Sequence, residues 1–72
     1  MTKNEKDIMR HFRHYQIGVN EMLCFNTTLA KADSSEFQMA MSSLIRSGMV
    51  VKERHRHAYS LTYHGFTASL SV

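Results

Sequence analysis

The hydrophobic period of this chain changes at Gly48. Before it, Phe37, Ala40, Met41, Leu44 and Ile45 stand at i, i+3, i+4, i+7 and i+8, the apolar stripe of a helix packed on one side. After it, Met49, Val50 and Val51 are β-prone, and Ala58-Tyr59-Ser60-Leu61-Thr62 alternates small or polar with large apolar residues. The pattern predicts a helix over 34–47. Asp33 is expected as its N-cap, with Glu36 completing a capping box. Gly48 stands where a left-handed C′ residue closes a helix, and Arg46 in the last turn suits the helix dipole. The other face of this helix holds Ser35, Gln38, Met39, Ser42 and Ser43, polar and nearly uncharged. The two β-prone runs predict a hairpin with the tip Lys52-Glu53-Arg54-His55-Arg56-His57, which has no apolar residue. Its turn lacks the Gly or Asn that tight hairpins prefer.

Upstream, residues 3–15 read as a helix. Thr2 and Glu5 fit a capping box, and Ile8, Met9, Phe12 and Tyr15 (or Gln16) recur at helical spacing. Gly18 is expected to end this element or the turn after it. Residues 19–31 leave two readings open: a helix over 19–25 followed by a loop, or a short helix over 23–30, with Asn20 or Asn26 as N-cap. Residues 62–71 can form a short final helix with Phe66 and Leu70 on one face, against which Gly65 counts.

With 72 residues there is room for one domain, 1–72, and a fold of this size buries only ~60% of its unfolded surface. A deep catalytic cleft is hard to accommodate. No Ser-His-Asp spacing, phosphate loop or paired carboxylates occur, so no enzymatic chemistry, catalytic residue or cofactor is expected. The single cysteine, Cys24, excludes an internal disulfide, and its apolar neighbours suggest a structural thiol. Five histidines include the pairs His11/His14 and His55/His57, but no Cys or carboxylate completes a metal site, and none is assigned. Met22, Met39, Met41 and Met49 read as core filler, with an oligomer contact as the alternative. No apolar run reaches the ~18 residues of a membrane span, and no secretory pattern is visible. A cytoplasmic binding module, touching neither membrane nor a small-molecule substrate, is the expectation.

The formal net charge is +3, and the sequence pI of about 9.4 lies above the ~9 that marks many nucleic-acid-binding domains. The cations are uneven. Residues 1–16 carry Lys3, Lys6, Arg10 and Arg13; residues 46–72 carry Arg46, Lys52, Arg54 and Arg56 against Glu53 alone; the middle is mildly acidic.

An apolar helix ending Leu44-x-x-x-Gly48-Met49-Val50, a polar segment, then Tyr59-x-Leu61-Thr62-x-x-Gly65 resembles the pattern of winged helix-turn-helix DNA-binding domains. The close match covers residues 37–65. Thr27 and Thr28, where such domains read apolar or alanine, and Glu36, a poor neighbour for phosphate, depart from it. The resemblance implies an α+β, mainly α fold of three helices followed by a β-hairpin wing. It implies a small prokaryotic-type transcriptional regulator that binds duplex DNA sequence-specifically as a homodimer. Helix 34–47 would then enter the major groove through Ser35, Gln38, Ser42 and Arg46. Lys52, Arg54, His55, Arg56 and His57 would lie on phosphates or in the minor groove. Helix 1 with Phe66, Leu70 and Val72 would supply the dimer contact. The competing expectation is a winged helix used as a protein-interaction or oligomerisation adaptor with little DNA binding.

Overall fold

Thr2 opens the first helix, α1 (Lys3–His14), in the computed structural model of the chain, which describes residues 1–25 and 34–72. Its hydroxyl accepts the Glu5 N–H at 3.2 Å, and the Glu5 carboxylate accepts the Thr2 N–H at 2.8 Å, the expected reciprocal cap. That bond, with a contribution from the Ser43 hydroxyl, holds the Glu5 carboxyl below its ordinary range. Ile8, Met9 and Phe12 are buried, whereas Tyr15 caps the C-terminus and stays exposed. The left-handed residue that follows the cap is Gln16, not Gly18. Gln16 takes the left-handed φ of 55°. The Gln16 and Ile17 N–H groups then reach back to the Arg13 and Phe12 carbonyls, each at 3.0 Å.

Residues 19–25 are not helical, so the first of the two readings of this segment is corrected. Asn20 has a φ of 66°, which no helix admits. The backbone bonds here run to a distant segment: Asn20 N–H to Leu61 C=O at 2.7 Å, Leu61 N–H to Glu21 C=O at 3.2 Å, and Phe25 N–H to His57 C=O at 2.9 Å. They flank a short strand, β1 (Met22–Cys24). The second reading, a helix over 23–30, fails at its start, where Leu23 and Cys24 are strand. From Asn26 onward, Thr27 and Thr28 included, it lies outside the described residues.

The long amphipathic helix is α2 (Ser35–Arg46). Ser34 caps it, its hydroxyl accepting the Phe37 N–H at 3.1 Å. The cap therefore sits one residue later than the expected Asp33, which lies outside the described residues. Glu36 occupies the second helical position, short of the third that a capping box uses. Phe37, Ala40, Met41 and Leu44 are buried, but Ile45, the last member of the stripe, has rotated out to 39% exposure. Met39 is not core filler, since it is exposed. Gly48, at φ 76°, closes the helix as the sequence requires: its N–H reaches Ile45 C=O and the Met49 N–H reaches Leu44 C=O, both at 3.0 Å.

Two residues after Gly48, β2 (Val50–Lys52) begins, and with β3 (Ala58–Leu61) it forms the hairpin. β1 takes the other edge of β3, giving an antiparallel sheet of order β1-β3-β2. Ser60 faces Met22 on one side and Val51 on the other, and Tyr59 faces Leu23 and Lys52. Tyr59 and Leu61 point into the core, and burial pushes the Tyr59 phenol above its ordinary range. The core closes on Phe25, whose ring centroid lies 5.2 Å from Phe12, 5.5 Å from Phe37 and 6.0 Å from Tyr59.

The last helix, α3 (Tyr63–Ser69), is held by Thr62. The Thr62 hydroxyl donates to Gly48 C=O at 2.6 Å and accepts the Gly65 N–H at 3.0 Å, while the Thr62 N–H donates to Met49 C=O at 3.1 Å. The Leu61-Thr62-x-x-Gly65 signature is therefore a clamp between the start of α3 and the start of β2. Leu70 is exposed as a dimer contact requires, but Phe66 and Val72 pack against the chain's own core. The described residues thus make a small α+β fold of three helices and a three-stranded antiparallel sheet.

Candidate nucleic-acid interface

The outer face of α2 is set by helical spacing. Ser35, Met39, Ser42 and Arg46 follow at i, i+4, i+7 and i+11, and Gln38 flanks them; all five side chains are exposed. Between Glu36 and Arg46 this helix carries no charge. Gln38, Met39, Ser42 and Arg46 line one open concavity of about 350 Å³. The structure thus brings together three of the four α2 residues picked out by the sequence and adds Met39. The spacing already put Met39 on this face; its residue type suggested core.

On the α1 side the surroundings differ. A second concavity, also of about 350 Å³, runs between the start of α1 and α2, and Glu5, Glu36, Met39, Ser43 and Arg46 help to line it. Two carboxylates stand on this flank. The cationic end of α2 is its C-terminus, at Arg46, and the chain leaves that end through Ser47, Gly48 and Met49 straight into β2. Three strand residues at ~3.3 Å each place the hairpin tip about 10 Å further on.

The tip divides into residues that build the loop and residues that face solvent. Lys52 builds it: its ammonium donates to Glu53 C=O at 2.6 Å and His55 C=O at 2.8 Å and lies 5.4 Å from the Tyr59 ring. The Glu53 carboxylate accepts the Ser60 hydroxyl at 2.6 Å, which folds it back onto the sheet. His57 is buried and takes φ 56°. It sits third in a turn closed by the Ala58 N–H on His55 C=O at 3.2 Å, where a glycine or asparagine was missing from the sequence. Its Nε2 accepts from Arg56 Nε at 3.3 Å. His57 therefore does not stand on the outer surface of the tip, contrary to the expectation of a phosphate contact. Arg54, His55 and Arg56 are exposed.

Two other histidines lie on α1. His11 stacks on Phe25 at 5.9 Å and His14 meets Tyr15 edge-on at 4.9 Å. Among the described residues no group of three His, Cys, Asp or Glu side chains is placed to hold a metal ion. Cys24 is half-buried on β1. Among the described residues no helix is long and apolar enough to cross a membrane. No protein-family model matches the chain, and no curated protein or solved structure is found to match it.

Proposed function

We propose that this chain is a winged-helix DNA-binding protein, a small transcriptional regulator that binds duplex DNA as a homodimer. The observation that carries the reading is the partition of its surface. An uncharged hydrogen-bonding face on α2 suits base edges, and the cations Arg46, Arg54 and Arg56 at its C-terminal end and on the following hairpin suit phosphates. Base edges need donors and acceptors at fixed positions and no net charge; phosphates need charge and little geometry. α2, 12 residues long, spans about 18 Å at 1.5 Å per residue, which fits along the ~12 Å-wide major groove. There Gln38 would pair with adenine, Arg46 with guanine or a phosphate, and the hairpin would grip the backbone with Arg54, His55 and Arg56. One such module offers few contacts, and a two-fold dimer doubles them. Leu70 at the end of α3 is exposed and would serve that contact.

One observation favours the adaptor reading. Lys52 is spent inside the loop, and Glu5 and Glu36 border α2, so the cationic surface is smaller than the sequence count implies. Salt dependence separates the two. With Arg54, Arg56 and at most Arg46 on phosphates, the log–log slope of affinity against salt is expected at roughly −2 to −3 per protomer. Absence of binding to duplex DNA at low salt would sink the DNA reading and leave the adaptor.

A further inference from the structure

We propose that Met39 is a specificity-determining residue of the DNA-binding face and that it recognises the 5-methyl group of a thymine. The inference rests on the DNA-binding reading above and deepens it. Met39 is 73% exposed, the most exposed large apolar side chain among the described residues. It stands at the centre of an otherwise polar stripe, four residues after Ser35 and three before Ser42. Both concavities beside α2 are lined by Met39 and by Arg46, and Met39 is the apolar one of the two. Its neighbour Met41 is buried, so the core's need for a thioether at this level of the helix is already met.

An apolar side chain in the middle of such a face calls for an apolar feature in its ligand. The major-groove edges of the four base pairs present nitrogen and oxygen donors and acceptors and one apolar group, the thymine methyl. A thioether is unbranched and polarisable, so it can settle on that methyl without a fixed approach angle. Phosphates offer Met39 nothing. The spacing to Arg46 adds a register. Seven residues rise about 10.5 Å along the helix, close to three base steps at ~3.4 Å. The thymine read by Met39 is therefore expected about three steps from the position whose preference Arg46→Ala relaxes.

The experiment selects a preferred duplex from a random pool with the full chain. Each thymine is then replaced singly by deoxyuracil, which removes only the methyl, and Kd is measured for the parent and for Met39→Ala. One buried methyl is worth about fourfold in affinity, so one position per half-site should lose about that factor with the parent and nothing with Met39→Ala. Met39 points outward, so the variant should keep the parent's melting curve. A selected site at which every uracil exchange stays within about 1.5-fold overturns the Met39 assignment while leaving DNA binding in place. So does a uracil penalty that survives in Met39→Ala, because another residue then reads the methyl. Failure of the chain to retain or discriminate any duplex overturns the DNA-binding reading itself, and this inference with it.

Discussion

Gly65→Ala tests whether the clamp between α3 and β2 is what the Thr62-x-x-Gly65 pattern encodes. A Cβ on Gly65 would lie 1.9 Å from the Met49 carbonyl oxygen, 2.8 Å from its carbon and 3.0 Å from Leu61 Cδ2. The first two are backbone atoms, and the Met49 oxygen is itself fixed by the Thr62 N–H, so no rotamer change relieves the clash. The first turn of α3 has to lift by more than an ångström. Overpacking of this kind costs ~1–3 kcal/mol, and weakening the Thr62 bonds adds ~1 kcal/mol. Alanine's helix propensity returns up to ~1 kcal/mol. The net is a loss of about 1–4 kcal/mol, and its centre near ~2.5 kcal/mol corresponds to a fall in Tm of roughly 10–20 °C for a domain of this size. Thermal unfolding followed by circular dichroism reads it. Two other glycines are the controls. At Gly18 a Cβ would meet the end of the flexible Glu21 side chain at 3.0 Å, so Gly18→Ala should cost under ~1 kcal/mol. At Gly48 there is open space but φ is 76°, so Gly48→Ala should cost the ~1–2 kcal/mol of a left-handed residue. A Gly65→Ala Tm within about 3 °C of the parent, or a loss smaller than that of Gly48→Ala, refutes the steric reasoning.

Two further tests follow from the loop and the N-terminal cap. Lys52→Met should loosen the hairpin and lower Tm yet leave the salt slope of DNA binding intact, whereas Arg54→Ala should leave Tm unchanged and reduce the slope by about one; equal slopes for both variants would remove Arg54 from the phosphate contacts. The Glu5 carboxyl is held low by the Thr2 N–H, so its contribution to stability is complete above the unfolded value near 4.5 and is lost as pH falls through the depressed folded value. Urea midpoints between pH 6 and pH 3 should fall less steeply for Glu5→Gln than for the parent, and parallel curves would show that the cap bond does not carry the dependence.

What the sequence made legible was what neighbouring residues decide among themselves. The Thr2–Glu5 box, the 37–44 stripe, the Gly48 stop and the β2–β3 hairpin each depend on residues within about a dozen positions, and each formed. β1 was not legible for the converse reason. Met22, Leu23 and Cys24 are three apolar residues in a row, too short a run to tell a strand from a helix, and what makes them a strand is the free edge of β3 at Ala58–Ser60. Gln16 and His57 hold left-handed backbone without being glycine or asparagine, so their turns carried no sequence signal, whereas Asn20 is of a type that tolerates it but was read as an N-cap. The Thr62 and Gly65 positions were visible as a pattern, but their cause, the Met49 carbonyl, lies on another element.

The candidate site divides along the same line. Helical spacing alone set the exposed ridge of α2, and the ridge stands where it was expected. A cation's use, in contrast, depends on what its side chain can reach. Lys52, Arg54 and Arg56 carry equal weight in a charge count, yet one of them ties the loop together through two carbonyls and a ring face. Methionine shows the same limit from the apolar side. Met39 and Met41 are two residues apart on one helix, and a helix separates such neighbours by about 200°, so one fills the core while the other crowns the outer face. Residue type alone makes both core; only the period distinguishes them, and it is the outward one that can meet a ligand.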